Sequence, residues 1–290
     1  MKTILVLTDF SKNATHAAAE ALTLSGKLHA DLLLFNTYIT YPTAASYAGA
    51  DWVAEEFAER QTQSKLALEM LTEGLESLSN ELDEGDRIPS IYWQSEDCDL
   101  AYKVNEICRH KNIELIVMGT RADNPGDFLY GEDTDAVIQH AKRPVLILPA
   151  KTNIKHIRKI VFATDFDDAD IYALHQLIKL GSALHWQIDV VHVVRPGNED
   201  DTEHGPKHTF FEAFAKLNYQ GQAYHELSGT SVIAKLQHIC NENRTGLLAM
   251  LHHQHSLFAR LFKHSKTKEI LINQKLPLLV FPSSAREKDC

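Results

Sequence analysis

Histidine is the residue type with the most chemistry to offer in this chain. There are 16 of them, and an imidazole can ligate a transition metal or, when protonated, contact a phosphate. His252, His253 and His255 crowd the end of an apolar run at 247–251, where they could form a zinc site. His204 and His208 stand at i, i+4, the spacing by which one helix face offers two zinc ligands, but Gly205-Pro206 falls between them. Spacing fixes no third ligand, so the reading of a polar loop with ordinary histidines stays open beside the metal site. Arg260, Lys263, Lys266 and Lys268 make a local positive stretch, which reads either as an anion site or as a solvated helix face. The signatures of dedicated enzymes are missing: there is no Gly-x4-Gly-Lys-Ser/Thr, Gly-x-Gly-x-x-Gly, His-Glu-x-x-His or Gly-x-Ser-x-Gly.

Composition narrows the classes further. A formal net charge of −10 over 290 residues argues against nonspecific nucleic-acid binding and against docking on an anionic membrane. No apolar run approaches the ~20 residues of a membrane helix, and the apolar run at 4–7 is too short for a signal peptide. The four cysteines, Cys98, Cys108, Cys240 and Cys290, form no Cys-x-x-Cys pair and read as free thiols. The cytoplasm is the expected location.

The elements that must position these residues come twice. Ile4-Leu5-Val6-Leu7-Thr8-Asp9-Phe10 returns as Ile160-Val161-Phe162-Ala163-Thr164-Asp165-Phe166, at an offset of 156 (165 − 9 = 156). The same offset aligns Leu28-His29 with Leu184-His185 and the run 32–35 with 188–191. A period this long means tandem homologous domains, not a solenoid. In each half short apolar runs, read as strands, alternate with helical patterns. The strands are expected over 4–8, 32–35, 91–94, 115–118 and 145–148, then 160–164, 188–194, 219–226, 247–251 and 278–281. The helices between them are expected over 14–24 (ended by Gly26), around Leu68, Leu71, Leu75, Leu78 and Leu82, over 100–110 and about 136–141, then over 171–180, 209–217, 232–241 and about 267–272. The pattern predicts two doubly wound, mostly parallel five-stranded α/β domains: 1–150, a polar linker at 151–158, then 159–283 and a tail at 284–290. Tyr38, Tyr41, Tyr47, Trp52 and Phe57 could lid a pocket or line a partner surface, or could pack on their own domain.

Three stretches then carry a family resemblance. Thr8-Asp9-Phe10-Ser11 follows the first strand, Ile116-Val117-Met118-Gly119-Thr120 ends the fourth, and Val137 to Leu146 runs through the last helix into Pro144-Val145-Leu146. In order and spacing the chain resembles the universal stress protein family in its tandem form, over almost its whole length. The resemblance implies an ATP-type pocket with the motif Gly-x2-Gly-x9-Gly-Ser/Thr after the fourth strand, because glycines let backbone approach phosphates. Here Gly119 fits the first position, Ala122 replaces the second, Gly131 comes one residue early, and Glu132 stands where a hydroxyl belongs. A carboxylate there would repel a phosphate, while Gly126 restores some backbone freedom.

The implied pocket of repeat one is therefore Asp9, Gly119, Arg121, Gly126 and Gly131, with Asp9 at the adenosine end or, alternatively, serving only the helix start. The corresponding stretch of repeat two has no glycine, and only Ser265 survives in place. The resemblance implies a binding or signalling module in the stress response, with ATP in repeat one and at most weak hydrolysis. An interaction scaffold, or a zinc protein using His252, His253 and His255, is the alternative. It also implies that 145–148 and 278–281 pair antiparallel within the chain as a pseudo-dimer, closing two aggregation-prone edges. Further association as a homodimer, or with a protein partner, is compatible with this. Neither nucleic acid nor a membrane is expected as a partner.

Overall fold

The computed structural model describes residues 1–38, 50–120, 132–194, 196, 205–217, 219, 221–252 and 276–282, without the side chains of 50–54 and 132. The first repeat runs β1 (Thr3–Leu7), α1 (Lys12–Leu28), β2 (Asp31–Tyr38), α2 (Ala50–Leu78), β3 (Ile91–Asp97), α3 (Leu100–His110), β4 (Ile113–Gly119), α4 (Glu132–His140) and β5 (Val145–Leu148). The second runs β6 (Lys159–Thr164), α5 (Asp170–Leu184), β7 (Gln187–Val194), α6 (Pro206–Lys216), β8 (Gln222–Ser228), α7 (Val232–Glu242), β9 (Leu247–His252) and β10 (Leu278–Pro282). The helix expected near 267–272 and the positive stretch 260–268 lie outside the described residues.

The strands form one ten-stranded sheet in the order β3-β2-β1-β4-β5-β10-β9-β6-β7-β8. Each repeat supplies five parallel strands, wound outward from a switch point between its first and fourth. The halves join where β5 and β10 run antiparallel, with Val145 opposite Val280 and Ile147 opposite Leu278. Neither last strand is left as an open edge, as expected for their uninterrupted apolar sequences.

Strand alternation sends side chains to two cores. One face holds Ile4, Val6, Leu146, Phe162, Leu279 and Phe281 beneath α1, α2, α5 and α6. The other holds Leu5, Val145, Ile147, Val161, Leu278 and Val280 beneath α3, α4 and α7. Both cores draw residues from both repeats, so the apolar interior is continuous across the seam. In α2 the leucine stripe buries Leu68 and Leu75 in the core with Leu71 partly covered, and leaves Leu78 at its edge; Leu82, expected in the same helix, lies past its end in extended backbone and is partly covered. Phe57 meets the Tyr38 ring edge-on at 6.0 Å, so this aromatic pair packs within its own repeat. Tyr41 and Tyr47 lie outside the described residues.

The segment joining the repeats is docked. Ile154 and Ile157 are buried in the first core. The Ile154 N–H donates to Glu20 Oε2 at 2.7 Å, and His16 Nε2 contacts the Thr152 carbonyl at 2.8 Å. Lys155 and Lys27 both reach Asp83 at 2.8 Å, and these two bonds pull its carboxyl down to about 2.

Two repeated sequence features have backbone causes. Leu-His recurs because His29 and His185 end α1 and α5 in the left-handed conformation, at φ 52° and 55°. Asp-Phe recurs because Phe10 and Phe166 take φ 64° and 62°, with each amide bonded to the preceding threonine hydroxyl at 3.0 Å. Bulky residues there are strained, and the matched bonds hold both turns. Gly26 does not end α1 as expected. It lies inside the helix, where the chain at 86–87 packs so closely that a Cβ would come within 3.2 Å of the Arg87 carbonyl oxygen.

Candidate functional site

The crevice of repeat one opens beyond the carboxyl ends of β1, β2 and β4, where the strand order reverses. Open α/β sheets collect their ligands at such a point. The floor is apolar: Leu7, Phe35 and Met118. Polar groups converge on it from separate elements, namely Thr8, Asp9 and Ser11 before α1, Asn36 and Thr37 of β2, Thr120 after β4, and Asp133 and Thr134 in α4. These walls enclose about 120 Å³, room for part of a ligand when whole small-molecule sites take ~300 Å³ or more.

The polar groups are held by one another. Asp9 Oδ1 accepts the Ser11 N–H at 3.0 Å, and Ser11 Oγ caps α1 by accepting from Ala14 at 3.2 Å. Asp9 thus secures the helix start while standing exposed at the crevice. Asn13 Nδ2 donates to the Thr120 carbonyl at 2.9 Å, tying α1 to the end of β4. Asn36 Nδ2 donates to the Thr8 carbonyl at 2.8 Å, and its Oδ1 accepts from Ser64 of α2, which also meets Ser95 of β3. Three elements thereby fix the side of the crevice.

Gly119 has a packing reason that its motif position does not reveal. A Cβ there would lie 2.6 Å from the Asn13 carbonyl oxygen and 2.9 Å from the Ala14 nitrogen. Backbone cannot retreat as a flexible side chain can. Gly119→Ala is expected to destabilise the protein by about 1–3 kcal/mol. Gly74→Ala, inside α2 with nothing within 4 Å of the new methyl, should stabilise it by up to ~1 kcal/mol. Urea midpoints of the two variants, moving in opposite directions, check the pair; a neutral Gly119→Ala would contradict the contact.

Arg121, Gly126 and Gly131 lie outside the described residues, so of the implied pocket Asp9 and Gly119 are brought together here. The sequence did not single out Thr120 and Thr134, each 4% exposed, or Asn36. Thr134 was nonetheless legible: it supplies a hydroxyl in the first turn of α4, two residues after Glu132 displaced the expected one.

Repeat two places different residues at the equivalent positions. Leu7 pairs with Met118 and its repeat mate Ala163 pairs with Met250, so Leu251 takes the place of Gly119 and His252 that of Thr120. His192 replaces Asn36 (36 + 156 = 192), with Nδ1 at 2.9 Å from the Thr164 carbonyl and its ring stacked on Phe166. Where Gly119 lets α1 approach, Leu251 carries a buried side chain, and α5 begins only at Asp170 without a side-chain cap. Asp170 replaces Ala14 and is fully buried. Its Oδ2 accepts from Thr164 Oγ1 at 2.6 Å and from the Asp165 N–H at 3.2 Å, while Oδ1 has no hydrogen-bond partner. Burial pushes this carboxyl up to about 7.

The metal reading gains no set of ligands among the described residues. His252 is buried at the end of β9, and His253 and His255 lie outside the described residues. α6 begins at Pro206 with Gly205 as its N-cap, and His204 lies outside the described residues. His208 faces Glu212 at 3.8 Å. Cys108 and Cys240 are free and buried, and desolvation pushes their thiols up to about 11 and 12. Such thiols are poor nucleophiles at neutral pH.

Two doubly wound repeats sharing one sheet, with a polar crevice at a switch point, define a tandem α/β protein of the doubly wound class. The model of the universal stress protein family matches residues 1–149 of 290, and the chain belongs to that family. The fold is similar to a universal stress protein from Archaeoglobus fulgidus DSM 4304, at 16% identity and TM-score 0.68, covering 97% of this chain and 96% of that one. It is also similar to a protein of unknown function from Pseudomonas aeruginosa PAO1, at 15% identity and TM-score 0.59, covering 97% and 92%. No match was found among curated proteins. No helix of the described residues is long and apolar enough to cross a membrane.

Proposed function

We propose that this chain is a binding and signalling module of the universal stress type, with one modified nucleotide pocket in repeat one. On this reading 1–150 and 159–283 are its two units, and repeat two serves as scaffold. The observation that carries the reading is the asymmetry of the two switch points. Repeat one keeps Gly119, Asn36 and Thr120 beside an apolar floor, and repeat two has Leu251, His192 and His252 in their places.

Asp9 anchors the adenosine end, and Gly119, Arg121, Gly126 and Gly131 bound the phosphate end. The carboxylates of Asp9 and Asp133 both line the crevice and oppose a bare polyphosphate. A Mg-complexed nucleotide, whose charge is partly neutralised, suits the site better. Calorimetric titration with Mg-ATP, ADP and adenosine, on protein first assayed for co-purified nucleotide, is the test. We expect saturation at about one site per chain, lost in Gly131→Glu while the circular dichroism spectrum is kept. No heat at millimolar nucleotide, with none carried through purification, would refute the pocket.

A further inference from the structure

A cavity of about 360 Å³ lies where the carboxyl-terminal ends of α1 and α5 meet the segment joining the repeats. Its size is within the ~300–1,000 Å³ of small-molecule sites. The crevice of repeat one stands at the other end of α1, ~25 Å away for 17 residues at about 1.5 Å each. Both repeats contribute to the cavity. Repeat one supplies Lys27, Asp83 and Asp86, the joining segment supplies Lys155 and Arg158, and the end of α5 supplies His185.

The charges on this lining do not balance. Asp83 Oδ2 accepts from Lys27 and Oδ1 from Lys155, each at 2.8 Å, and Asp86 Oδ2 lies 3.3 Å from Lys27. Two carboxylates thus engage two ammonium groups. Arg158 is the third cation. Its Nη1 donates to the Ile157 carbonyl at 3.1 Å, and no carboxylate pairs with it among the described residues.

Comparison of the repeats gives the reason. Arg158 falls at the position of Lys2 (2 + 156 = 158), and their carbonyls accept matching bonds, from Gln187 and from Asp31. Lys2 lies 4.0 Å from Glu114. Glu114 precedes Leu115, the partner of Ile4, and Gly246 precedes Leu247, the partner of Ile160. Repeat two therefore has a glycine where repeat one has the counter-ion. A Cβ at Gly246 would come within 3.1 Å of Ile157 Cγ2, so the docked segment that brings Arg158 to the cavity also crowds out the acid.

We propose that this cavity binds a small organic anion, whose carboxylate or phosphate group supplies the missing partner of Arg158. The planar guanidinium offers such a group two parallel N–H donors. His185 adds an imidazole to the same lining. The ends of α1 and α5 bring partial negative charge, but both are capped. Gly26 accepts from the His29 and Arg87 amides, and Gly181 from those of His185 and Trp186. Capping takes up those carbonyls, and Arg158 is left as the one full charge of the lining without a counter-ion among the described residues.

Glycerate, glycerol 3-phosphate and glycerol share a three-carbon body and differ in their acid group. Each is titrated into the full chain by calorimetry at pH 7 in 0.15 M salt, where screening over ~8 Å suppresses diffuse attraction. We expect saturation of one site per chain by an acid at low millimolar concentration, none by glycerol, and no displacement by excess Mg-ATP. The tighter acid identifies the group that Arg158 holds. Arg158→Gln should weaken it at least tenfold, and Arg158→Lys, which keeps the charge but loses the fork, should fall between. Lys2→Gln removes the same charge at the equivalent place in repeat one and should change the affinity less than twofold. Arg158 is exposed, so the urea midpoint of Arg158→Gln should match that of the wild-type protein. No saturation by either acid, equal losses in Arg158→Gln and Lys2→Gln, or displacement by Mg-ATP would each overturn the proposal.

Discussion

Leu279→Asp is expected to unfold both repeats together. Leu279 is 1% exposed in β10, opposite Leu146 of β5 and beside Ala249 of β9. Its side chain enters the core that also holds Ile4 and Val6 of repeat one and Phe162 of repeat two. A carboxylate placed there has no partner, and an uncompensated buried charge costs about 3–5 kcal/mol. That is a large share of the ~5–15 kcal/mol that holds a domain folded. Leu279→Ala, which leaves only a cavity, should cost about 2–5 kcal/mol and keep the transition single.

Tryptophan fluorescence can follow the repeats separately. Trp93 lies in β3 of the first, and Trp186 is 4% exposed just before β7 of the second. With Trp52 replaced by Phe and one reporter retained at a time, the two urea curves should coincide in the otherwise wild-type chain. If they separate there, the seam does not couple the repeats, and the shared core is not one cooperative unit.

Asp170→Asn should change how stability depends on pH. Burial holds the Asp170 carboxyl at about 7, against 3.8 for the free side chain. The native state therefore keeps a proton between about pH 4 and pH 7 that the unfolded chain releases. Its contribution to stability is fully present below about pH 4 and is lost as pH rises through about 7. Three pKa units correspond to about 4 kcal/mol at most. The asparagine carries no proton to lose, and its Oδ1 can still accept from Thr164 Oγ1 and the Asp165 N–H. Its amide inherits the buried place of Oδ1, at a cost that does not vary with pH. Relative to wild type, the variant should gain stability from about pH 4 to about pH 7 and level off above that. A wild-type-minus-variant difference that stays flat over this window would show that Asp170 is ionised throughout.

Sequence alone reached much of this architecture because its signals are local. Apolar runs without alternation marked strands covered on both faces, and α3 and β5 fall at the expected bounds, Leu100–His110 and Val145–Leu148. The 156-residue register aligned Asp-Phe with Asp-Phe and Leu-His with Leu-His, and the structure gives these pairs matching backbone, with positive φ at Phe10 and Phe166 and at His29 and His185. The departures at Ala122 and Glu132 were legible as well, since they are changes of residue type at fixed spacing.

Tertiary structure decided what depends on residues distant in the chain. Gly26 has the sequence look of a helix end, yet it sits inside α1 because the loop at 86–87 packs on it. The segment 151–158 has polar composition, yet Ile154 and Ile157 enter the core between α1 and α5. Gly119 is demanded by backbone more than 100 positions earlier, at Asn13. The Asn36, Ser64 and Ser95 network joins three elements that no periodicity relates. Asp170 reads in sequence as an ordinary helix-start acid, which is usually exposed and ionised. Only the packing around it, which leaves Oδ1 in a dry interior, makes it a proton-holding group. Local pattern determined the elements and their order; the approach of one element to another determined which polar groups are satisfied, which are strained and where a ligand has room.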